Sequence, residues 1–444
     1  MHRLHGGFTV AATIKPGCAT PLGDTLKRLN RTQGAGPADF GKAETVLFVS
    51  GVILPEDHYQ GETLPETFVF ATTYCGPLSV HLDDLVQTNA ACLVAMFRHC
   101  ECFPPGDSPD AKVIKDYLQS HSYPCTFSSR YQCMTKAEIS REKRLREEIQ
   151  KYLFQAQELN AFDSLTALQV KTLIGRHIRI REDEFGWAFR PAKDMRFSEW
   201  LRFHRVAIIT VLFIFLLDFL FIKHESFIPV FLGKSLLWDA GSIAALAIVV
   251  LAIMWVISWS RNPTATRPAD EAIRKIAASQ LHPVLNEMTA AAPLKSGNLR
   301  RWYYSSAHWV LRHFVKSIEV PTVSSIRWLV VNKRRRLLFL SNFSNMTDFY
   351  VRDFLNGFWT PVGINFMFTN GRGFPDAALL FLNGIIGDPE GYMNAVHAGQ
   401  HVTDFWYAHE PLLTQDIIHK FRNIRNGLFR EMNEAEAGEW LKLL

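Results

Sequence analysis

The sequence has little excess charge, because 48 lysines and arginines against 43 aspartates and glutamates leave a formal net charge of +5 over 444 residues. So small an excess indicates mild attraction to anionic surfaces and argues against a nucleic-acid partner. The chain also has no P-loop, no G-x-S-x-G elbow and no H-E-x-x-H motif. These absences give little weight to nucleotide-binding, serine-hydrolase and zinc-protease functions.

Cysteine is absent beyond the first third of the chain, and the N-terminal residues lack the long apolar core of a signal peptide. An odd number of cysteines without an export signal predicts reduced thiols in a cytoplasmic compartment. Cys100 and Cys102 lie near His121 and Cys125, which suggests zinc, but a structural zinc site prefers a longer spacing than C-x-C. The sequence therefore predicts no metal site. The seven cysteines are Cys18, Cys75, Cys92, Cys100, Cys102, Cys125 and Cys133.

Two long apolar runs lie in the middle of the chain, at 206–222 and at 240–259, and the first contains one carboxylate, Asp218. A membrane-spanning helix needs about 20 apolar residues, so the runs predict a two-helix transmembrane hairpin; buried helices of a soluble core are the alternative. Lysine and arginine are more frequent outside the hairpin than in its connecting loop. This bias predicts an inner-membrane protein with both soluble halves and both termini on the cytoplasmic side.

The chain repeats itself on either side of these runs. "TVAATIKPG" at 9–17 recurs as "TAAAPLKSG" at 289–297, and three further blocks follow in the same order. Such an ordered series predicts an internal duplication. The later pairs of blocks are 44–54 with 321–331, 68–85 with 337–354, and 92–104 with 363–375.

Each copy predicts the element order βαββαβ of a ferredoxin-like unit, with the last strand ending at the Phe-Pro of 92–104 or 363–375. Helices cover only one face of such a sheet, so the other face needs a partner. We therefore expect an α+β fold in which the two ferredoxin-like repeats pack face to face as an intramolecular α/β barrel, with the transmembrane hairpin inserted between them.

The expected organisation has six segments. They are a first repeat at 1–135, an amphipathic helical connector at 136–202, the transmembrane hairpin at 203–260, a helical linker at 261–288, a second repeat at 289–430, and a C-terminal helix or tail at 431–444. Amphipathic patterns at 138–153 and 270–288 predict helices that pack on the barrel; a contact in a homo-oligomer is the alternative.

The doubled layout, together with "SSIRWLVVNKRRRLLFLSNF" at 324–343, "FMFTNGRGFP" at 366–375 and "VTDFWYAHEPLLTQDI" at 402–417, resembles the dimeric α/β-barrel superfamily. That superfamily includes dye-decolorizing peroxidases and chlorite dismutases, and the chain looks most like uncharacterised membrane proteins related to the peroxidases. The resemblance implies a haem cofactor, a histidine as proximal iron ligand, and a distal aspartate and arginine.

The resemblance also implies particular residues. His397 and His401 are the candidate haem ligands in the second half, with His409 as a further histidine available for ligation. Asp348 stands in the distal turn, which reads "SNFSNMTD" and lacks both glycines of the peroxidase motif. Arg327 or Arg372 would be the cationic partner of an anion or peroxide. The alternatives are surface or capping histidines and ordinary strand-end arginines.

The functional hypothesis that follows is a membrane-anchored α/β-barrel oxidoreductase, similar to peroxidases, that acts on a lipophilic substrate from the lipid bilayer. The alternative is a non-catalytic membrane-associated barrel that binds an apolar small molecule or a protein partner. The basic hairpin tip "NKRRR" at 332–336 would contact anionic headgroups in either case, or would be a solvated turn.

Overall fold

Three nine-residue strands form the framework of each half of the chain. In the computed structural model, the duplicated blocks of the sequence fold into corresponding strands. These are β1 (His5–Thr13), β2 (Val46–Leu54) and β5 (Thr67–Cys75) in the first half, and β7 (Leu285–Pro293), β8 (Val323–Val331) and β9 (Arg336–Ser344) in the second.

The structure describes the chain from residue 4 to residue 444 with one long gap, 210–247, which contains Asp218, most of the first apolar run and the start of the second. The shorter gaps are 60, 107–108, 131–133, 159–161, 163, 191, 193–196, 198–199, 202–203, 206–207, 259–263, 281, 315–319, 321, 357–358 and 381.

The other elements of the first half and of the connector are mostly helical. They are α1 (Ala19–Arg31), β3 (Asp57–Tyr59), β4 (Glu62–Leu64), α2 (Leu78–Phe97), α3 (Ala111–Ser120), β6 (Thr126–Ser129), α4 (Lys136–Glu158), α5 (Ala167–Ile180), α6 (Glu182–Phe185) and a 3₁₀ turn at Gly186–Phe189. Residues 248–258 are also helical.

The remaining elements belong to the linker and the second half. They are α7 (Asp270–Ser279), α8 (Asn298–Phe314), α9 (Thr347–Asp353), α10 (Trp359–Phe368), β10 (Ala377–Ala378), β11 (Leu382–Asn383), α11 (Pro389–Gly399), β12 (Gln400–His401), β13 (Phe405–Ala408), α12 (Gln415–Leu428) and α13 (Glu434–Leu441).

The two main sheets exchange strands. One sheet has the order β1-β5-β2-β13 and the other the order β12-β7-β9-β8-β6. β6, from the first half, pairs with β8 of the second, and β13, from the second half, pairs with β2 of the first. Each half therefore completes the sheet of the other.

Two segments cross from one sheet to the other: one leads into β6 and the other runs from the end of α11 through β12 into β13. Each of these crossing segments comes close to a strand at a glycine. A Cβ atom on Gly7 in β1 would lie 2.6 Å from the ring of Phe127 in β6, and one on Gly399 would lie 2.8 Å from the carbonyl oxygen of Ala291 in β7. Glycine has no Cβ atom, so it allows the ring of Phe127 and the backbone of Ala291 to approach this closely. The two glycines are therefore requirements of the exchange.

Both faces of each sheet are buried, which explains why the strand sequences read as almost continuous apolar runs. Helices cover the outer faces, and the inner faces share one apolar cluster with members from both sheets, including Val52, Val69, Leu329 and Leu338. At about 25 cal/mol per Å² of apolar surface, this shared burial is the main attraction between the two sheets.

The closed barrel predicted from the sequence is wrong. The structure has a mixed α+β fold with two separate ladders, whose edges are β1 and β13 in one sheet and β12 and β6 in the other. The crossing segments pair with their own sheet over a residue or two and then pair with the other sheet. Hydrogen bonding is therefore not continuous around the pair of sheets.

The predicted transmembrane hairpin at 203–260 is overturned as well, together with the membrane anchor and inner-membrane location that depended on it. Among the residues that the structure describes, no helix is long and apolar enough to cross a bilayer. The described helical residues 248–258 reach about 16 Å at 1.5 Å per residue, roughly half of a bilayer core. Met254 and Ile257 from this segment pack on Leu380 of the second half.

The final strands expected at 92–104 and 363–375 are also wrong. Residues up to Phe97 belong to α2 and residues up to Phe368 to α10. Short apolar runs that are buried on all sides carry no periodicity that separates helix from strand. The fourth strands lie further along the chain, at β6 and at β12 with β13.

The inner faces become polar toward one end, where Glu287 of β7 is fully buried. Its carboxylate accepts hydrogen bonds from the hydroxyl of Thr289, at 2.7 Å, and from that of Thr403 in the segment between β12 and β13. Burial raises the pKa of Glu287 to about 7, although the two threonines and the charge of Arg327 act in the opposite direction. Glu287 therefore connects the segment between β12 and β13 to β7 by hydrogen bonds, although burying its negative charge is unfavourable.

We predict that Glu287 makes the protein less stable as the pH rises. A carboxyl whose pKa is higher in the folded than in the unfolded state binds more protons when folded, so the unfolding free energy falls between about pH 4.5 and about pH 7 by an amount on the order of 3 kcal/mol. Urea unfolding near pH 5 and near pH 8 should show that Glu287→Gln removes most of this fall. Glu390→Gln, at an exposed carboxylate of α11, should leave it unchanged; an equal pH dependence with and without Glu287 would contradict the prediction.

Candidate functional site

Arg327, the first predicted catalytic residue, lies between the two sheets and is 3% exposed. Its guanidinium donates hydrogen bonds to the carbonyl oxygens of Phe8 and Thr72 at 3.1 and 3.0 Å, and to the hydroxyl of Thr73 at 2.5 Å. Burial lowers its pKa, while the nearby Glu287 raises it. Arg327 of the second half therefore binds the first half, which is a structural role.

Arg372 joins the two halves at the surface. Its guanidinium donates to both carboxylate oxygens of Asp57 at 3.3 and 2.7 Å, and it lies 5.0 Å above the ring of Tyr59. Both partners belong to β3, in the acidic hairpin of the first half. The side chain of Arg372 is 40% exposed, so this contact attaches the hairpin but contributes little to stability.

Asp348 and His397 contact each other directly. Asp348 Oδ1 of α9 lies 3.3 Å from His397 Nε2 of α11, with the histidine 12% and the aspartate 63% exposed. Burial lowers the pKa of His397, while Asp348 raises it. The resemblance to peroxidases would place a distal aspartate and a proximal histidine on opposite faces of a haem. A pair in contact leaves no room for one between them.

His401 and His409 lie apart from this pair. α11 ends at Gly399, and His401 pairs with Thr289 as part of β12. The expected shared helical face of His397 and His401 is therefore absent. His409 Nε2 lies 2.9 Å from Ser140 Oγ in the connector. These candidate residues do not fit a haem, because they do not converge on one space.

The C-x-C pair does not have the strand geometry expected from the sequence. Cys100 is buried and Cys102 is exposed, with a backbone φ of 57° at Cys102. The pair lies in a turn and not in a strand, so the two thiols do not share a face as expected. Within the described part of the chain, no group of three or more metal-ligating side chains is found.

A cleft of about 210 Å³ lies where α8 of the second half meets the crossing segment of the first. One wall is α8, another is the start of β6, and the basic hairpin tip after β8 reaches its rim. The side chains that matter most for its chemistry are Cys125, Thr126, His308, Trp309, Arg312 and Arg334. None of them is among the residues predicted from the sequence to bind haem or to act in catalysis.

His308 is held in one orientation. Its Nδ1 lies 3.2 Å from Thr126 Oγ1, and the Tyr304 ring packs edge-on against it with ring centroids 4.6 Å apart. Its Nε2 is shielded from solvent and has no hydrogen-bond partner among the described residues. Burial lowers the pKa of His308 to about 4, so the imidazole is neutral at physiological pH.

Two arginines and an indole line the same cleft as this imidazole. Trp309 is 50% exposed, and Arg334 stands on the exposed hairpin tip at a φ of 65° without an ion pair to any described residue. Arg312 is close enough to the buried thiol of Cys125 to lower its pKa, although burial raises that pKa more strongly. The cleft therefore has two cationic groups and no carboxylate among its described lining residues.

The corresponding junction in the first half is closed. There α1 meets β13, and the gap is bridged by hydrogen bonds from Gln33 Nε2 to the Trp406 carbonyl at 2.7 Å and from the Trp406 backbone N–H to Asn30 Oδ1 at 3.0 Å. The duplication thus has a filled copy and an open copy of the same helix–strand junction. The open copy is the candidate functional site.

The sequence carries one signal that could have indicated this site. Residues 305, 308, 309 and 312 recur at helical spacing, so a serine, a histidine, a tryptophan and an arginine share one side of α8. Nothing in the sequence indicates that Thr126, from the other half, would contact His308.

No family model matches the chain, and no curated protein or solved structure gives a significant match to it. The resemblance to the dimeric α/β-barrel superfamily and the expected homo-oligomer therefore stay predictions. The function has to be argued from the geometry of the site.

We predict that Arg327 stabilises the fold. Arg327→Met would leave the hydroxyl of Thr73 and two carbonyl groups without their cationic donor and Glu287 without its counter-charge, so the unfolding free energy should fall by about 3 kcal/mol. Urea unfolding measures this loss. Lys333→Met, on the exposed hairpin tip, should change it by no more than about 0.5 kcal/mol. If Arg327→Met also changed the unfolding free energy by no more than about 0.5 kcal/mol, the structural role of Arg327 would be disproved.

Proposed function

We propose that the protein binds a small anionic molecule in the cleft between α8 and the start of β6. The observation that carries the proposal is the convergence of Arg312 and Arg334 on a cleft whose described lining contains no carboxylate. Guanidinium groups bind carboxylates and phosphates through paired hydrogen bonds, and a partly enclosed site strengthens this attraction.

The other lining groups suit such a ligand. The half-exposed indole of Trp309 offers an apolar surface beside the arginines, and Ser305 and Thr126 add hydroxyl groups. The volume of about 210 Å³ is smaller than the roughly 300 to 1,000 Å³ of pockets for drug-sized ligands. A small metabolite therefore matches the cleft better than a lipid or a macrocycle does.

Binding without catalysis accounts for more of the geometry than a peroxidase-like reaction does. Arg327 and Arg372 are engaged between the halves, and Asp348 is paired with His397. None of the three lines the cleft. The proposal therefore keeps the ligand-binding alternative raised by the sequence, with an anionic ligand in place of an apolar one.

The test is calorimetric titration of the full chain with inorganic phosphate, sulfate and acetate at constant ionic strength. At least one of these anions should bind saturably, and Arg312→Gln or Arg334→Gln should weaken it by about tenfold, as expected for the loss of one charged hydrogen bond. Lys333→Gln is the matched control, because Lys333 is a neighbouring cation on the same hairpin tip but does not line the cleft. Absence of saturable binding, or an equal loss in the Lys333 variant, would refute the proposal.

A further inference from the structure

We propose that the ligand of the cleft is an aromatic carboxylate, with a planar ring against Trp309 and its carboxylate held by Arg312 and Arg334. This inference rests on the proposed anion-binding function and adds the chemical class of the ligand. Its basis is an accessible indole that lies one helical turn from an arginine on the same wall of the cleft.

The indole of Trp309 has surface that a ligand can reach. The residue is 50% exposed although it lines the cleft, whereas Tyr304, on the same helix, is fully buried. A large aromatic surface that stays open to water forgoes favourable burial, and a ligand with an apolar body restores that burial. Trp309 therefore favours an organic anion over a bare inorganic one.

The strands opposite α8 also offer apolar surface to the cleft. Pro124, just before β6, is exposed, and Val330 of β8 is only partly buried. Both residues line the cleft together with Trp309. A flat group that enters between α8 and these strands therefore has apolar side chains on both of its faces.

The spacing of Trp309 and Arg312 determines how far the charge of the ligand should lie from its ring. Residues three positions apart on a helix are surface neighbours, with Cβ atoms about 5–6 Å apart. A ring that stacks on the indole would bring a directly attached carboxylate within reach of the guanidinium of Arg312, while Arg334 approaches from the hairpin tip. A guanidinium binds a planar carboxylate through paired hydrogen bonds.

The size of the cleft limits the ligand to a single ring. An apolar cavity of about 150 Å³ can hold one benzene molecule. The volume of about 210 Å³ therefore has room for one ring and its carboxylate, but not for a second ring.

The experiment compares benzoate, cyclohexanecarboxylate and acetate on the full-length protein by calorimetric titration at neutral pH and constant ionic strength. All three are ionised under these conditions, so they differ only in the body that carries the charge. We expect benzoate to bind at least about tenfold more tightly than acetate, because its ring buries apolar surface. It should also bind about fivefold more tightly than cyclohexanecarboxylate, because an aromatic pair is more stable than its buried area alone implies.

Two tryptophan variants locate the ring. Trp309→Leu keeps an apolar side chain but removes the aromatic face, so it should abolish the preference for benzoate over cyclohexanecarboxylate. Trp302→Leu is the matched control, because Trp302 also lies on α8 and is 58% exposed but does not line the cleft. This control should keep the preference. The wild-type ratios decide the matter even if the Trp309 variant does not fold.

The outcomes separate this inference from the function on which it rests. If benzoate binds no more tightly than acetate or cyclohexanecarboxylate and Arg334→Gln weakens all three, the anion site stands and the aromatic class is wrong. A preference that persists in folded Trp309→Leu, or benzoate binding that Arg312→Gln does not weaken, also overturns the inference. If no anion tested binds saturably, the proposed function and this inference fail together.

Discussion

β6 and β13 each leave the sheet of their own half and hydrogen-bond to the second strand of the other sheet. Because of this exchange, neither sheet is complete without residues from the other end of the chain. The crossing segments also set how the sheets face each other, since they pass close to Gly7 and to the Gly399–Ala291 contact. The inner apolar cluster, the polar end and the cleft all depend on this exchange.

The polar end of the inner faces adds specificity to an attraction that is otherwise non-directional. Apolar residues such as Val52 and Leu329 would tolerate several registers between the sheets. Arg327 tolerates one, because its guanidinium must meet acceptors on both β1 and β5. Burying Arg327 and Glu287 costs desolvation energy, and a register requirement is a reason why such groups are retained in a core.

The duplication supplies two equivalent helix–strand junctions, and differences of a few side chains give them different properties. Asn30 and Gln33 bridge the junction of the first half by bonding to the backbone of β13. At the other junction the hydroxyl of Thr126 bonds to His308, and Arg312 and Arg334 line the cleft. One copy is thus bridged by hydrogen bonds, and the other contains the cleft.

The sequence by itself determined the duplication, the α+β class and the six long strands, because repeated blocks and β-rich runs are local patterns that survive without knowledge of contacts. Only the tertiary structure decided the partners of β6 and β13, the separation into two sheets, the helical state of 92–97 and 363–368, and the contact of Thr126 with His308. These features depend on residues that are distant along the chain, and an evenly apolar run or a lone threonine carries no information about them. The same limit applies to Asp348 and His397. The resemblance to peroxidases placed them on opposite faces of a haem, whereas in the fold they contact each other.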